Sequence, residues 1–114
     1  METMFDPPAP SLPPTFAQAL ARFLDEAQAL IDAERNARFP NLDRSVLTPD
    51  PGRRYVRIWC DRGNGTKYAY CFVDKTNGDV LKPATWKAPA KHARGNVFKG
   101  QAADSVTAYG ARYL

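Results

Sequence analysis

Two Asn-Gly dipeptides, Asn64-Gly65 and Asn77-Gly78, punctuate a stretch from Arg53 to Lys82 that reads as three short strands. Asn-Gly favours the two positive φ values of a two-residue type I′ turn, so the stretch predicts an antiparallel meander. Counting outward from the first turn pairs Arg62 with Lys67, Cys60 with Ala69, Trp59 with Tyr70, Ile58 with Cys71, Arg57 with Phe72 and Val56 with Val73. Neighbouring strand residues point to opposite faces. That register gathers Val56, Ile58, Cys60, Ala69, Cys71 and Val73 on one face and Tyr55, Arg57, Trp59, Tyr68, Tyr70 and Phe72 on the other. A three-residue loop, Gly63 to Gly65, would set Tyr68 opposite Cys60 and mix the two sets, so the sorting favours the shorter turn.

The rest of the chain covers this sheet. Residues 1–14 hold five of the ten prolines and predict an extended arm, because proline lacks the amide donor and fixes φ. Phe5 and Leu12 are its candidate anchors, on this fold or on a neighbour. Thr15-Phe16-Ala17-Gln18 has the form of a capping box and opens a helix. Phe16, Leu20, Phe23, Leu24, Ala27, Leu30 and Ile31 then repeat at steps of three and four, one apolar stripe that fits the small-residue face of the sheet. Pro40 sets the limit of the helix near Arg38. Residues 41–52 are turn-rich, with Val46-Leu47 a candidate short edge strand. Residues 15–114 thus form a single α+β domain: one long amphipathic helix packed on a small antiparallel meander. An oligomer could form through the arm or through the helix stripe.

At 114 residues the chain suits one modest core. No apolar run approaches the roughly 18 residues of a membrane span, and no signal-peptide pattern opens the chain. A cytoplasmic location is the default expectation. Cys60 and Cys71 lie diagonally on the predicted core face and read as buried free thiols. With His92 the only histidine, no metal-ligand pattern emerges, and no cofactor motif is present.

Charge is uneven. Residues 1–50 carry four Lys/Arg against eight Asp/Glu, and residues 51–114 twelve against four, giving the net +4. Such asymmetry marks a polyanion-binding surface or a soluble one. After Pro83, the segment 84–96 reads as a basic loop with one tryptophan. Lys82, Lys87, Lys91, His92, Arg94 and Lys99 are candidate phosphate contacts, with Gly95 allowing close backbone approach. Arg57, Trp59, Tyr68, Tyr70 and Trp86 are candidate stacking residues for unpaired bases. The competing reading makes the aromatic face a second core layer, and the charge run a solvated loop.

The stretch Trp86-Lys87-Ala88-Pro89-Ala90-Lys91-His92-Ala93-Arg94-Gly95-Asn96-Val97-Phe98 resembles a group of small tailed-bacteriophage proteins, together with Asp79-Val80-Leu81-Lys82, Tyr109-Gly110-Ala111 and Tyr113-Leu114. The likeness spans about residues 53–114 and leaves out the arm. The group carries no assigned activity. The resemblance implies a phage origin and a place in the host cytoplasm or the virion, and it supplies no functional residue.

Catalysis has little to build on. His92, Arg94 and Asn96 alternate, as a metal-independent nuclease could use them. A lone histidine is more often a hydrogen-bonded or solvated residue. Asp61, Asp74 and Asp79 sit at predicted strand ends and turns, where aspartate serves local hydrogen bonding. The leading expectation is a non-enzymatic nucleic-acid-binding protein that favours single strands. The rival is a protein-binding module, a host-factor inhibitor or virion component, in which the same aromatics anchor an interface.

Overall fold

A computed structural model describes residues 15–41, 43–62, 65–99 and 102–111. The predicted arm and Asn64 lie outside them. Thr15 caps helix α1, Phe16–Arg38, with the full capping box. The Gln18 amide donates to Thr15 Oγ1 at 3.1 Å and the Thr15 amide to Gln18 Oε1 at 3.0 Å. The helix ends as its sequence predicts. Phe39 is the C-cap, its amide donating to the Arg35 carbonyl at 2.7 Å, and Pro40 follows. Ala19, Phe23, Ala27 and Ile31 are buried, and Phe16, Leu20 and Leu24 flank them, whereas Leu30, expected in the stripe, is exposed and Ala19, not expected there, is part of the core.

Five antiparallel strands stand in sequence order: β1 Val46–Pro51, β2 Tyr55–Asp61, β3 Lys67–Asp74, β4 Asp79–Pro83 and β5 Pro89–Asn96. The arrangement is α+β, one helix on an antiparallel sheet. Val56, Val73 and Val80 are adjacent across three strands and buried with Ile58, Cys60 and Cys71 against α1. Both thiols are therefore enclosed, and burial pushes each one up from its ordinary pKa.

Register follows the expected pairing only from Val56 to Ile58. Between Ile58 and Trp59 a bulge shifts it by one residue, so Trp59 faces Ala69, Cys60 faces Tyr68 and Asp61 faces Lys67. The predicted pairs Trp59–Tyr70, Cys60–Ala69 and Arg62–Lys67 are thereby overturned. The Arg62 amide donates to the Thr66 carbonyl at 3.0 Å, and Gly65 has φ +85°. The physical reason lies in the core. Small residues on β2 and β3 leave room beneath the helix, and the bulge turns Tyr68 and Tyr70 into it. Tyr70 is fully buried there and donates its hydroxyl to the Thr107 carbonyl at 2.5 Å. Burying a ring of that size contributes about 2–3 kcal/mol, against about 0.5–1.5 kcal/mol net for a ladder hydrogen bond given up at the bulge.

The second turn is also longer than two residues. Val73 faces Val80, the Gly78 amide donates to the Asp74 carbonyl at 2.7 Å, and Gly78 has φ +81°. Asp74 organises this turn by accepting from the Thr76 amide at 2.8 Å and hydroxyl at 2.6 Å.

The expected edge strand at Val46-Leu47 extends to Pro51, with Pro49 and Pro51 on the open edge where proline is tolerated. Gln28 ties it to the helix, donating to the Ser45 carbonyl at 2.8 Å and accepting from the Leu47 amide at 2.9 Å. Beyond β5, Val97-Phe98 forms a turn and not a strand. Ala102–Ser105 forms a 3₁₀ turn. A short hairpin, β6 Val106–Thr107 with β7 Gly110–Ala111, closes the described chain.

Candidate functional site

The segment expected as a basic loop is mostly strand. Residues 84–88 make a tight turn, in which the Ala84 and Thr85 amides both donate to the Ala88 carbonyl. Pro89–Asn96 then returns along β4 as the sheet's second edge. Alanine, lysine, proline and glycine are poor strand formers, which hid it from a propensity reading. β5 is irregular, its register against β4 shifting between Val80 and Leu81 and again between Leu81 and Pro83. Bulges and lysines are how natural proteins protect an open edge.

This β4–β5 ribbon carries five of the six predicted phosphate contacts. Lys87, in the turn, is exposed, as are Lys91 and His92 on β5. Among the described residues none of these three pairs with a carboxylate. Lys82 on β4 and Arg94 on β5 are half-buried, and one Arg94 nitrogen donates to the His92 carbonyl. Lys99 lies past the strand, exposed, near the segment that Arg22 holds by donating to the Val97 carbonyl at 2.9 Å. The run 80–103 contains no Asp or Glu.

The predicted stacking residues separate. Tyr70 is removed by burial, a correction that follows from the bulge. Tyr68 is half-buried on the helix face, where Arg62 packs on its ring at 4.9 Å. Burial in this apolar corner, with a hydrogen bond to Cys60, raises the phenol well above its ordinary pKa. Trp59 stays on the face opposite the helix, half-buried, with Lys67 Nζ 4.4 Å from its ring centroid. On that same face a row crosses the sheet: Asp50, Arg57, Phe72, Leu81 and Ala93. Phe72 and Leu81 are buried, and Tyr55 meets Phe72 edge-on at 6.4 Å. The face is thus partly a second packing layer and partly open.

Arg57 links that layer to the ribbon. Its guanidinium lies 4.3 Å from the Trp86 ring centroid, donates to the Trp86 carbonyl at 3.3 Å and pairs with Asp50. Trp86 remains 39% exposed. Arg57 is therefore a support for the tryptophan, occupied by the protein's own groups, and Trp86 is the aromatic left at the ribbon's tip. Asp50 is the residue the sequence reading missed in this set; its place directly across from Arg57 depends on the unforeseen length of β1.

Of the predicted nuclease trio, Asn96 is committed to the fold. Asn96 donates to the Asn77 carbonyl at 2.7 Å and to Asp79 Oδ1 at 3.0 Å, and accepts from the Phe98 amide at 2.9 Å. These bonds fasten the end of β5 to the β3–β4 turn.

A feature absent from the sequence reading is a cleft of about 580 Å³ where the last turns of α1, the start of β1, the β2–β3 end and the β6–β7 turn converge. Phe39, Tyr68 and Tyr109 give it aromatic walls, and Ile31 an apolar one. Phe39, directly after a helix stop, was its one local signal.

No helix among the described residues is long and apolar enough to cross a membrane, and no described group of His, Cys, Asp and Glu could hold a metal ion. No curated protein and no solved structure matches the chain. The match to a family model covers residues 15–111, including the helix and the seven strands found among the described residues, and the chain belongs to that family, described as a family of unknown function (DUF7717).

Proposed function

We propose that this is a phage-encoded, non-enzymatic protein of the host cytoplasm that binds nucleic acid through its β4–β5 ribbon. One observation carries the reading: Lys87 in the turn and Lys91 and His92 on β5 are exposed on one ribbon and free of carboxylate partners among the described residues. Edge protection accounts for a lysine on β5. It does not account for Lys87 in the turn or Lys99 beyond the strand. Phosphate contacts need such uncommitted cations.

The preference for single strands rests on Trp86. Stacking on an aromatic side chain is worth about 1–3 kcal/mol per base and tolerates any sequence. Trp86 sits at the tip of the ribbon, backed by the Arg57 guanidinium and still open to solvent. Trp59, beneath Lys67, is a secondary contact. Tyr70 takes no part, and Arg57 acts by holding Trp86. His92 and Arg94 serve binding and not hydrolysis in this reading, since Asn96, the third member of the trio, is consumed by the fold and one arm of Arg94 by a backbone carbonyl.

Fluorescence anisotropy of labelled single-stranded DNA, single-stranded RNA and duplex DNA tests this. About four phosphate contacts predict a roughly fifty-fold weakening on single strands between about 50 and about 200 mM salt. The Lys87→Ala/Lys91→Ala/Arg94→Ala variant should lose most of the affinity, and Trp86→Ala should weaken single strands more than duplex. No binding at low salt sinks the reading and points to a protein partner from the host or the phage.

A further inference from the structure

The cleft at the end of α1 lies on the helix side of the sheet, whereas Trp86 packs on Arg57 at the opposite face, so the cleft is a separate site. Its volume of about 580 Å³ lies inside the range of roughly 300–1,000 Å³ typical of small-molecule sites. Its composition says what it could take. Phe39 is 47% exposed and Tyr109 62% exposed, two of the large apolar side chains the fold leaves in water, and both line this cleft with half-buried Tyr68. Aromatic side chains gathered around a gap favour a flat ring between them.

Charge narrows the ligand further. Glu34 lines the cleft but its Oε2 is already engaged, accepting from the Tyr109 hydroxyl at 2.5 Å and meeting Arg38 Nε at 3.1 Å. That bond to Glu34 raises the Tyr109 phenol above its ordinary pKa and keeps it a donor. Arg35 donates to the Pro40 carbonyl at 3.4 Å and to the Asn36 side chain at 3.2 Å. Arg62 stands against the Tyr68 ring, and among the described residues no carboxylate pairs with it. Asp43 and Ser45 also line the cleft, the Ser45 carbonyl already accepting one hydrogen bond from Gln28.

We propose that this cleft binds a nucleoside monophosphate unit: a base between Phe39 and Tyr109, its amino edge toward Asp43 and Ser45, and its phosphate on Arg62. The unit has two sources, a free nucleotide or the 5′-phosphorylated end of a strand. Only the second rests on the nucleic-acid reading above.

Amide chemical-shift titrations separate the cases. The four 5′-mononucleotides, at up to about 1 mM, should perturb Ser45, Tyr68, Ala108 and Tyr109. Arg62→Gln, at an exposed position, should weaken a mononucleotide about ten-fold while leaving its phosphate-free nucleoside unchanged; Phe39→Ala should weaken both. A short oligonucleotide bound here only when 5′-phosphorylated identifies a strand end, and mononucleotide binding alone identifies the free ligand. The Lys87/Lys91/Arg94 variant should retain the cleft signal, so failure of the ribbon and failure of the cleft are distinguishable. Absence of these shifts with every nucleotide, or shifts that survive Arg62→Gln unaltered, overturns the proposal.

Discussion

The sheet has two open edges, and they are protected by different chemistry. β1 carries Pro49 and Pro51, which withhold amides, and its polar groups are spent inside the molecule: Gln28 satisfies its backbone and Asp50 pairs with Arg57. β5 is distorted by bulges and carries cations, of which Lys91 and His92 have no carboxylate partner among the described residues. An edge needs only to be made unattractive to another strand. The proline edge does that with nothing left over, while the cationic edge leaves charge that a polyanion can use.

If β5 is an edge held at its end by packing, the largest effect should come from Gly78. A Cβ there would lie 2.6 Å from the Phe98 ring, on a backbone with φ +81°. Gly78→Val should cost about 3 kcal/mol in urea unfolding, through left-handed strain and displacement of the ring. An unchanged midpoint would break the picture of β5 as anchored there. At the other edge, Gln28→Ala should cost about 2 kcal/mol by leaving two backbone groups of the β1 strap unsatisfied. Amide exchange should accelerate at Leu47 and stay unchanged in β5; acceleration in both would mean that the edges are not independently held.

Acid should act on the two ends differently from the ribbon. Asp74 is buried, which raises its pKa, but the Thr76 hydroxyl and amide and Arg54 outweigh that and hold it below the ordinary 3.8. Arg44 lowers Asp32 in the same way. A carboxylate depressed in the folded state stabilises above its unfolded pKa and loses that contribution as pH falls through its folded value. Melting temperature should therefore hold from neutral pH to about pH 4 and fall below it, with Asp74→Asn flattening part of the fall. An unaltered acid slope in that variant would remove Asp74 from the account. The smallest effect is expected from the ribbon itself: Lys87→Ala/Lys91→Ala/Arg94→Ala should change stability by no more than about 0.5 kcal/mol. A larger loss would show that these charges serve the fold.

What was legible in the sequence was local. Thr15 and Gln18 set the helix start, Pro40 its end, and the helical periodicity most of its buried face, Leu30 and Ala19 excepted, because each depends on residues within a turn or two. The order of strands β2 to β4 was legible for the same reason. Register was not. It turned on whether Tyr68 and Tyr70 were needed under the helix, a question of core volume that sorting by side-chain size answers wrongly. β5 was invisible because its residues lack strand propensity and are held by β4. The cations of the ribbon were legible as a charge run, but Asp50 beside Arg57, and the gathering of Phe39, Tyr68 and Tyr109, exist only once distant segments meet.

The most direct test of the ribbon is to follow backbone amide shifts while a short single-stranded oligonucleotide is added at low salt. Perturbations should concentrate from Lys82 to Arg94, strongest around Trp86 and Lys87, with β1 quiet and the response fading as salt rises. Perturbation of β1 in place of β5, or no perturbation at low salt, would contradict the ribbon as the binding surface.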